Sequence, residues 1–334
     1  MNLENLTPAM KQYLQMKQQN PDCILLFRIG DFYEVFFEDA KICASVLDLI
    51  ITSKNKNSEN PIPMAGIPHH SIEKYIPRLI AKGYKVAIAE QMTDPVPWKI
   101  VERSIKSIIT PGTYIQENQR ELSTLLAITR SSEKSGTNYH LAWWDFTIGN
   151  YQTKTLSNLE QAQKLILSLR PTEIILDSDL TNKEEIIGPI QSYLNCLVSV
   201  YGVPFDPEHT ILTVCKVQQL ASFGKALTEW RASALALLFA YIQHTQQQVL
   251  KNVNTISYHA ADGLVLMDET TVKNLEIFSS SYENSSKYTL FEILNTTKTA
   301  WGARLLRDIL SNPTNNKTEL NWRLSHLERL FDDT

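Results

Sequence analysis

Gly30-Asp31-Phe32-Tyr33-Glu34-Val35-Phe36-Phe37 is the most informative segment of this chain. Gly-Asp is a turn signal, and it follows an apolar run of strand length, Cys23–Ile29. If residues 32–37 run as a strand, a period of two puts Phe32, Glu34 and Phe36 on one face and Tyr33, Val35 and Phe37 on the other. A large ring and a carboxylate then point the same way, just past a flexible turn. That pairing suits a probe of a base stack. The ring fills a gap between bases and holds a kink, at an unstacking cost of roughly a few kcal/mol that weakened pairing lowers. The carboxylate accepts a hydrogen bond only from a base edge that presents a donor, and phosphates repel it. The same pattern also fits an aromatic-rich core strand.

Working outward, Thr7-Pro8 starts a helix, with Thr7 free to cap and Pro8 at the first helical position. Met10, Tyr13, Leu14 and the stem of Lys17 line one face before Asn20-Pro21 stops it. A second helix is expected from Glu38 through Leu49, then a polar loop from Thr52 to Asn60. Pro61-Ile62-Pro63-Met64-Ala65-Gly66-Ile67-Pro68 carries too many prolines for a helix or a central strand. Ser71 can cap a helix bearing Ile72, Ile76 and Leu79 that ends near Gly83. Tyr84–Ala89 and Ile105–Ile109 are expected strands, closed by Pro111-Gly112.

After a connector near Gln116 to Glu121 the pattern restarts. Strands are expected at Thr124–Thr129, Tyr139–Phe146 and Gln152–Thr155, a helix at Leu159–Leu169, a strand at Glu173–Leu176 and a long helical stretch from Ala221 to Leu250. Residues 290–311 form another helix, ended by Asn312-Pro313, and the chain stops in what reads as the opening of a further one. The fold class is mixed α/β. A small α/β domain spans 1–113, a linker 114–123, a second α/β domain 124–252, and the start of an all-α region 253–334.

With 43% hydrophobic and 20% charged residues, the 334-residue chain is neither disordered nor a coiled coil. Its net charge of −4 argues against a protein held on nucleic acid by a strong overall field, though not against a local site. Residues 1–112 carry 13 basic against 12 acidic side chains, and the remainder 19 against 24, so any polyanion contact belongs first to the N-terminal third. Lys54, Lys56, Lys74, Lys82, Lys99, Arg103 and Lys106 are available there for phosphates, although any one of them taken alone fits a solvated face better.

Cys23, Cys43, Cys196 and Cys215 show no C-x-x-C spacing, which points to reduced thiols in a cytoplasmic protein. No signal peptide and no run of about 18 apolar residues is present, so neither secretion nor a membrane is expected. The nearest approach to a P-loop, Gly224-Lys225-Ala226, has Gln219 where the first glycine belongs and Ala226 where a hydroxyl must reach magnesium. No ATPase site and no cofactor are therefore expected in these residues. His69-His70 has no Cys or carboxylate at ligand spacing, so no metal site is expected there. Asp145, with Glu173 or Asp177, could supply carboxylates for an RNase H-like nuclease holding two magnesium ions about 4 Å apart, but no complete set is identifiable.

Taken together, these segments resemble the N-terminal part of the MutS family of DNA mismatch-repair proteins. The matching stretches run in the family's order: Thr7-Pro8-Ala9-Met10 with Tyr13-Leu14, Leu26 to Phe36, Asp39-Ala40-Lys41, Pro61 to His70, Val86 to Gln91, Val101-Glu102-Arg103 and Thr110 to Thr113, then Met267-Asp268, Asn274 to Ile277, and Thr296 to Leu306 with Gly302. The resemblance implies that Phe32 stacks on a mispaired or unpaired base and that Glu34 hydrogen-bonds to it. Lys54, Lys56, His69, Lys74, Lys99, Arg103 and Lys106 become candidate DNA-backbone contacts. It further implies a mismatch-recognition domain, an RNase H-like connector and the start of helical levers. Partners would be double-stranded DNA with mismatches or small insertion/deletion loops, a MutL-like protein through the connector, and a second copy in the full-length family. ATP and magnesium would belong to a C-terminal ATPase domain that these residues lack, so the chain reads as a non-enzymatic fragment.

Two departures bear on the backbone contacts and leave the F-x-E motif untouched. Trp98-Lys99-Ile100 stands where the family usually shows Lys-Gly-Pro, and Ser107, beside Lys106, stands where a basic residue is expected. Two other functional readings stay open: a magnesium-dependent nuclease centred on Asp145, and a MutL-docking scaffold without useful DNA affinity.

Overall fold

A computed structural model describes residues 7–54, 61–93, 101–114, 124–133, 136–145, 150–180, 183–191, 194, 196–220, 229–246, 256–258, 265, 267, 269–278, 280, 287–311 and 313–332. The architecture is mixed α/β and divides into two compact units, 1–114 with 242–249, and 115–241 with 250–334.

The first unit is built on a six-stranded sheet in the order β3 (Thr52–Lys54), β4 (Ile62–Pro68), β2 (Phe32–Phe36), β1 (Cys23–Ile29), β5 (Lys85–Gln91), β6 (Arg103–Ile109). Only β1 and β5 pair in parallel. Helix α1 (Pro8–Gln19) covers one face, where Met10 and Tyr13 meet Leu25, Phe27, Phe36 and Ala87. Helices α2 (Phe37–Leu47) and α3 (Ile72–Ala81) cover the other, where Cys43, Leu47, Ile76 and Leu79 meet Ile24, Leu26, Tyr33 and Val35. Gly30-Asp31 is a two-residue hairpin turn, with Gly30 at φ +58°, a conformation that costs a residue with a Cβ.

The hairpin splays beyond the Phe27–Glu34 rung, because the chain turns into α2 at Phe37, whose φ is +57°. Side chains take over the backbone groups left there. The buried Asp39 carboxylate accepts from the Leu25 N–H at 3.0 Å, the Tyr13 hydroxyl at 3.3 Å and the Lys17 ammonium at 2.8 Å, and Tyr13 also reaches the Phe36 carbonyl.

The structure departs from the sequence pattern at several points. The strand stops at Phe36, and Phe37 packs with the α1-side core and the Tyr13 ring instead of sharing a face with Tyr33 and Val35. Thr52–Lys54 is a strand, not loop. The proline-rich segment is an interior strand. It is tolerated because Pro68 is its last residue and Pro63 lies against a neighbour only three residues long. Neither Thr7 nor Ser71 makes a side-chain cap, and Ser71 sits in a helical conformation inside a short 3-10 turn, His69–Ser71.

The second unit has its own six-stranded sheet, in the order β11 (Leu197–Tyr201), β10 (Glu173–Asp177), β7 (Thr124–Glu133), β8 (Gly136–Asp145), β9 (Asn150–Leu156), β12 (Ile256–Tyr258). Helices α4 (Leu159–Leu169) and α5 (Lys183–Gln191) bury Leu165, Ile166, Ile187 and Ile190 against one face. Asn158 caps α4 through the Gln161 N–H, and Asp206 caps α6 (Pro207–Cys215) through the His209 N–H. In α7 (Glu229–Gln246) every residue from Ala234 to Phe239 is fully buried, so no amphipathic stripe forms. Its Phe239 meets Tyr151 edge-on, and Tyr151 stacks on Trp144.

The helix expected over 290–311 is two, α9 (Leu290–Leu294) and α10 (Ala300–Ser311), preceded by α8 (Glu269–Asn274) and followed by α11 (Lys317–Asp332). The break follows from threonine chemistry, since the Thr299 hydroxyl accepts from the Gly302 N–H and starts a new helix. Elements α5, α6, β11 and β12 were not expected from the sequence. No helix among the described residues is long and apolar enough to cross a membrane.

Candidate nucleic-acid interface

Strand β2 is exposed at Phe32, beside the hairpin turn, and half-buried at Glu34, while its other residues are buried. Phe32, its first residue, is 47% exposed, whereas Tyr33, Val35 and Phe36 are buried. The ring lies over the Gly66 backbone on β4, where an added Cβ would sit 3.6 Å from it.

The base beneath this ring is fixed from the opposite face. The Tyr33 hydroxyl donates to the Glu90 carboxylate, its ring packs on His69 with centroids 5.6 Å apart, and the Arg28 guanidinium lies 5.5 Å from its centroid. Arg28 also donates to the Gly30 carbonyl, and the His69 N–H donates to Asp31 O at 2.8 Å, so both turn residues are tied down. Burial, then the Glu90 charge, push the Tyr33 hydroxyl above its usual range, which keeps it a donor. The exposed ring therefore stands on a rigid support.

Glu34 follows on the same face as Phe32, on the rung between Phe27 and Gly66. The Lys54 ammonium lies 3.3 Å from its Oε2 and 5.0 Å from the centroid of the Phe36 ring. Arg103 sits on its other side, with its guanidinium 5.0 Å from the Phe27 centroid, and donates to Arg28 O at 2.7 Å and Val101 O at 3.0 Å. Burial pulls this guanidinium down from its usual range, while the Glu34 charge opposes that pull. Phe32 and Glu34 open onto a groove of about 550 Å³ walled by Leu49, Ile50, Thr52 and Met64. Asp48 also borders the groove but is paired with Arg78, and aromatic and aliphatic walls beside the Glu34 carboxylate suit a flat ring that presents a hydrogen-bond donor.

The other expected contacts are dispersed. His69 is exposed, but its ring packs on the face opposite Glu34. Lys74 is exposed on α3, which covers that same opposite face. Lys106 is exposed on β6, as the extra residue of a bulge between Ser107 and Ile105. Lys56 and Lys99 lie outside the described residues, as does Trp98-Lys99-Ile100. Among the described residues, Lys54 and Arg103 are the expected contacts that come together with the Phe32–Glu34 pair. Sequence reasoning missed Arg28 and Glu90 as supports of the tip. Glu90 lies 57 residues from Tyr33, and the only local signal was that Tyr33 points inward.

The strand positions considered for a nuclease lie well apart along the backbone. Glu173 and Asp177 stand at opposite ends of the five-residue β10, roughly 13 Å apart at about 3.3 Å per residue. Asp145 closes β8 opposite Thr124 and Asn150, roughly two strand spacings, or about 10 Å, from Glu173. Glu173 is fully buried and accepts from the hydroxyls of Ser199 and Tyr241, both at 2.5 Å. Among the described residues no group of three or more His, Cys, Asp or Glu is arranged to hold a metal ion.

Three family models match this chain in succession: MutS domain I over residues 7–118, MutS domain II over 123–254 and MutS domain III over 270–334. Among similar proteins, a DNA mismatch repair protein MutS of Lactococcus lactis subsp. cremoris is 36% identical over 332 residues, covering 98% of this chain and 37% of that protein. Its namesake from Streptococcus mutans is 32% identical over 333 residues, 99% of this chain and 37% of the relative. That of Dehalococcoides mccartyi is 35% identical over 336 residues, 99% of this chain and 38% of the relative. The chain thus spans well under half the length of these relatives.

Proposed function

The chain belongs to the MutS family, matching its domains I, II and III in order, and from that premise we propose that it carries the mismatch-sensing surface of a DNA mismatch-repair protein. Phe32 is the wedge that stacks on a mispaired or unpaired base, and Glu34 accepts a hydrogen bond from that base. The observation that carries this reading is one exposed ring beside a carboxylate, on a strand otherwise buried and braced from behind.

Selectivity follows from physics. Inserting the ring costs roughly a few kcal/mol of unstacking, less where pairing is already weak, and a carboxylate near phosphates is tolerated only where a base donor meets it. Among the described residues few cations stand beside the probe, so affinity from this chain alone should be modest, and its fall with salt shallow, because the slope scales with the number of phosphates contacted. On the same reading the second unit docks a MutL-like partner in the cytoplasm. On the same reading a second copy, ATP and magnesium belong to parts of the family proteins beyond domains I to III, and no catalytic step is assigned to these residues.

The test is fluorescence anisotropy at low salt with G·T-mismatched, single-base-loop and perfect duplexes, on the protein and on Phe32→Ala. A preference for defective DNA that disappears in the variant, with an unchanged circular-dichroism melt, is the expected result. An equal preference in both proteins removes the wedge reading and favours a partner-docking scaffold.

A further inference from the structure

We propose that Lys54 sets mismatch specificity by holding Glu34 in place, rather than by gripping a phosphate. This inference rests on the probe reading above. Lys54 ends β3, and its rung with Ile62 on β4 places it on the sheet face that carries Met64, Gly66 and Glu34. From there its ammonium faces inward to two attractions, the Glu34 Oε2 at 3.3 Å and the Phe36 ring at 5.0 Å. The Lys54 side chain is only 31% exposed and that of Glu34 only 17%, so water screens the pair less than it screens a surface pair.

A carboxylate carried alone into a DNA groove is repelled by the phosphates on either side. With Lys54 on Oε2, the pair approaches the duplex nearly neutral, and Oε1 is assigned to the base donor. Arg103 adds positive field nearby, but the two hydrogen bonds it makes go to the carbonyls of Arg28 and Val101 and none to Glu34, so the contact that orients the carboxylate is that of Lys54. A phosphate-gripping lysine differs in two measurable ways. It strengthens mismatched and perfect duplex alike, and it adds about one unit to the slope of log affinity against log salt.

The experiment measures anisotropy titrations of the 334-residue chain, with G·T-mismatched and perfect duplexes, over a salt series. The variants are Lys54→Met, Lys54→Gln, Lys54→Arg, Glu34→Gln and the Lys54→Met/Glu34→Gln double change. Lys54→Met keeps the apolar stem over Phe36, Lys54→Gln is the alternative if that variant melts early, and circular dichroism checks each fold. The expected result is a roughly tenfold fall in the mismatch-to-perfect ratio in Lys54→Met, restored by Lys54→Arg, with less than about a twofold further change in the Glu34→Gln background and an unchanged salt slope.

An equal loss on both duplexes with a smaller salt slope makes Lys54 a phosphate contact and overturns the inference. So does a Lys54→Met effect that simply adds to that of Glu34→Gln. If Phe32→Ala abolishes the preference while Lys54→Met spares it, only this inference fails. If Phe32→Ala changes nothing, the wedge reading fails first and takes this one with it.

Discussion

Glu34 and Glu173 are the same residue type, each on a strand of a six-stranded mixed sheet, and the two units use them in opposite ways. Glu173 is sealed inside the second unit, where the hydroxyls of Ser199 and Tyr241 tie β10 to β11 and α7. Glu34 sits at the open rim of the first unit, next to an exposed ring and a groove, with a lysine for its partner. A buried carboxylate surrounded by hydroxyls is structural, because any ligand would first have to break those bonds in a dry interior. One at a rim can take up a base donor on its second oxygen at little cost while its lysine stays in place. The difference lies in the surroundings and not in the unit, since Asp39, on helix α2 of the first unit, is also buried and structural.

Replacing Asp39 by Ala is expected to cost the most, about 3 kcal/mol of stability, because the Leu25 N–H and the Tyr13 hydroxyl lose a buried acceptor at once. Lys17, more exposed, keeps the Cys23 carbonyl and turns its remaining donors to water, which holds the cost below that of a fully buried pair. Urea unfolding of the variant measures it, and a loss below about 1 kcal/mol would break the contrast drawn here between rim and interior.

Glu173→Gln is expected to cost less, about 1 kcal/mol. The amide oxygen still accepts from Ser199 and Tyr241, but the bonds lose their charge and a new N–H₂ group must find a partner. The same urea titration reads this cost, and DNA preference should stay as it was. A loss of DNA preference in Glu173→Gln would tie the second unit to recognition and undo the division of labour between the two carboxylates.

How much of this was legible in the sequence follows the range of the forces involved. Period two on Phe32–Phe36 separated the ring and carboxylate from Tyr33 and Val35, because strand geometry alone enforces it. It failed one residue later, at Phe37, where a positive φ redirects the chain into α2, and nothing local announces that for a phenylalanine. The proline-rich segment misled because proline statistics describe a strand without knowing its neighbours. Here a three-residue edge strand makes room for Pro63. Lys54 was visible as a charge among several, but its pairing with Glu34 depends on the registers of β3 on β4 and β4 on β2, which only the assembled sheet supplies. Arg103 was likewise named from its charge, while its capture by two backbone carbonyls was invisible.

The smallest effect is the sharpest for the comparison. Glu34→Gln removes the charge from the rim carboxylate while keeping its shape, and it loosens a single ion pair whose lysine remains over the Phe36 ring. Partly exposed pairs contribute little, because water takes up the charges when they part, so stability is expected to change by no more than about 0.5 kcal/mol. The fold should therefore melt with the same cooperativity as the unsubstituted chain, while its discrimination between mismatched and perfect duplex weakens. That combination is what separates a residue kept for recognition from one kept for the core. If Glu34→Gln were instead to cost as much stability as Glu173→Gln, the rim carboxylate would be a packing residue after all, and its position beside Phe32 would carry no functional weight.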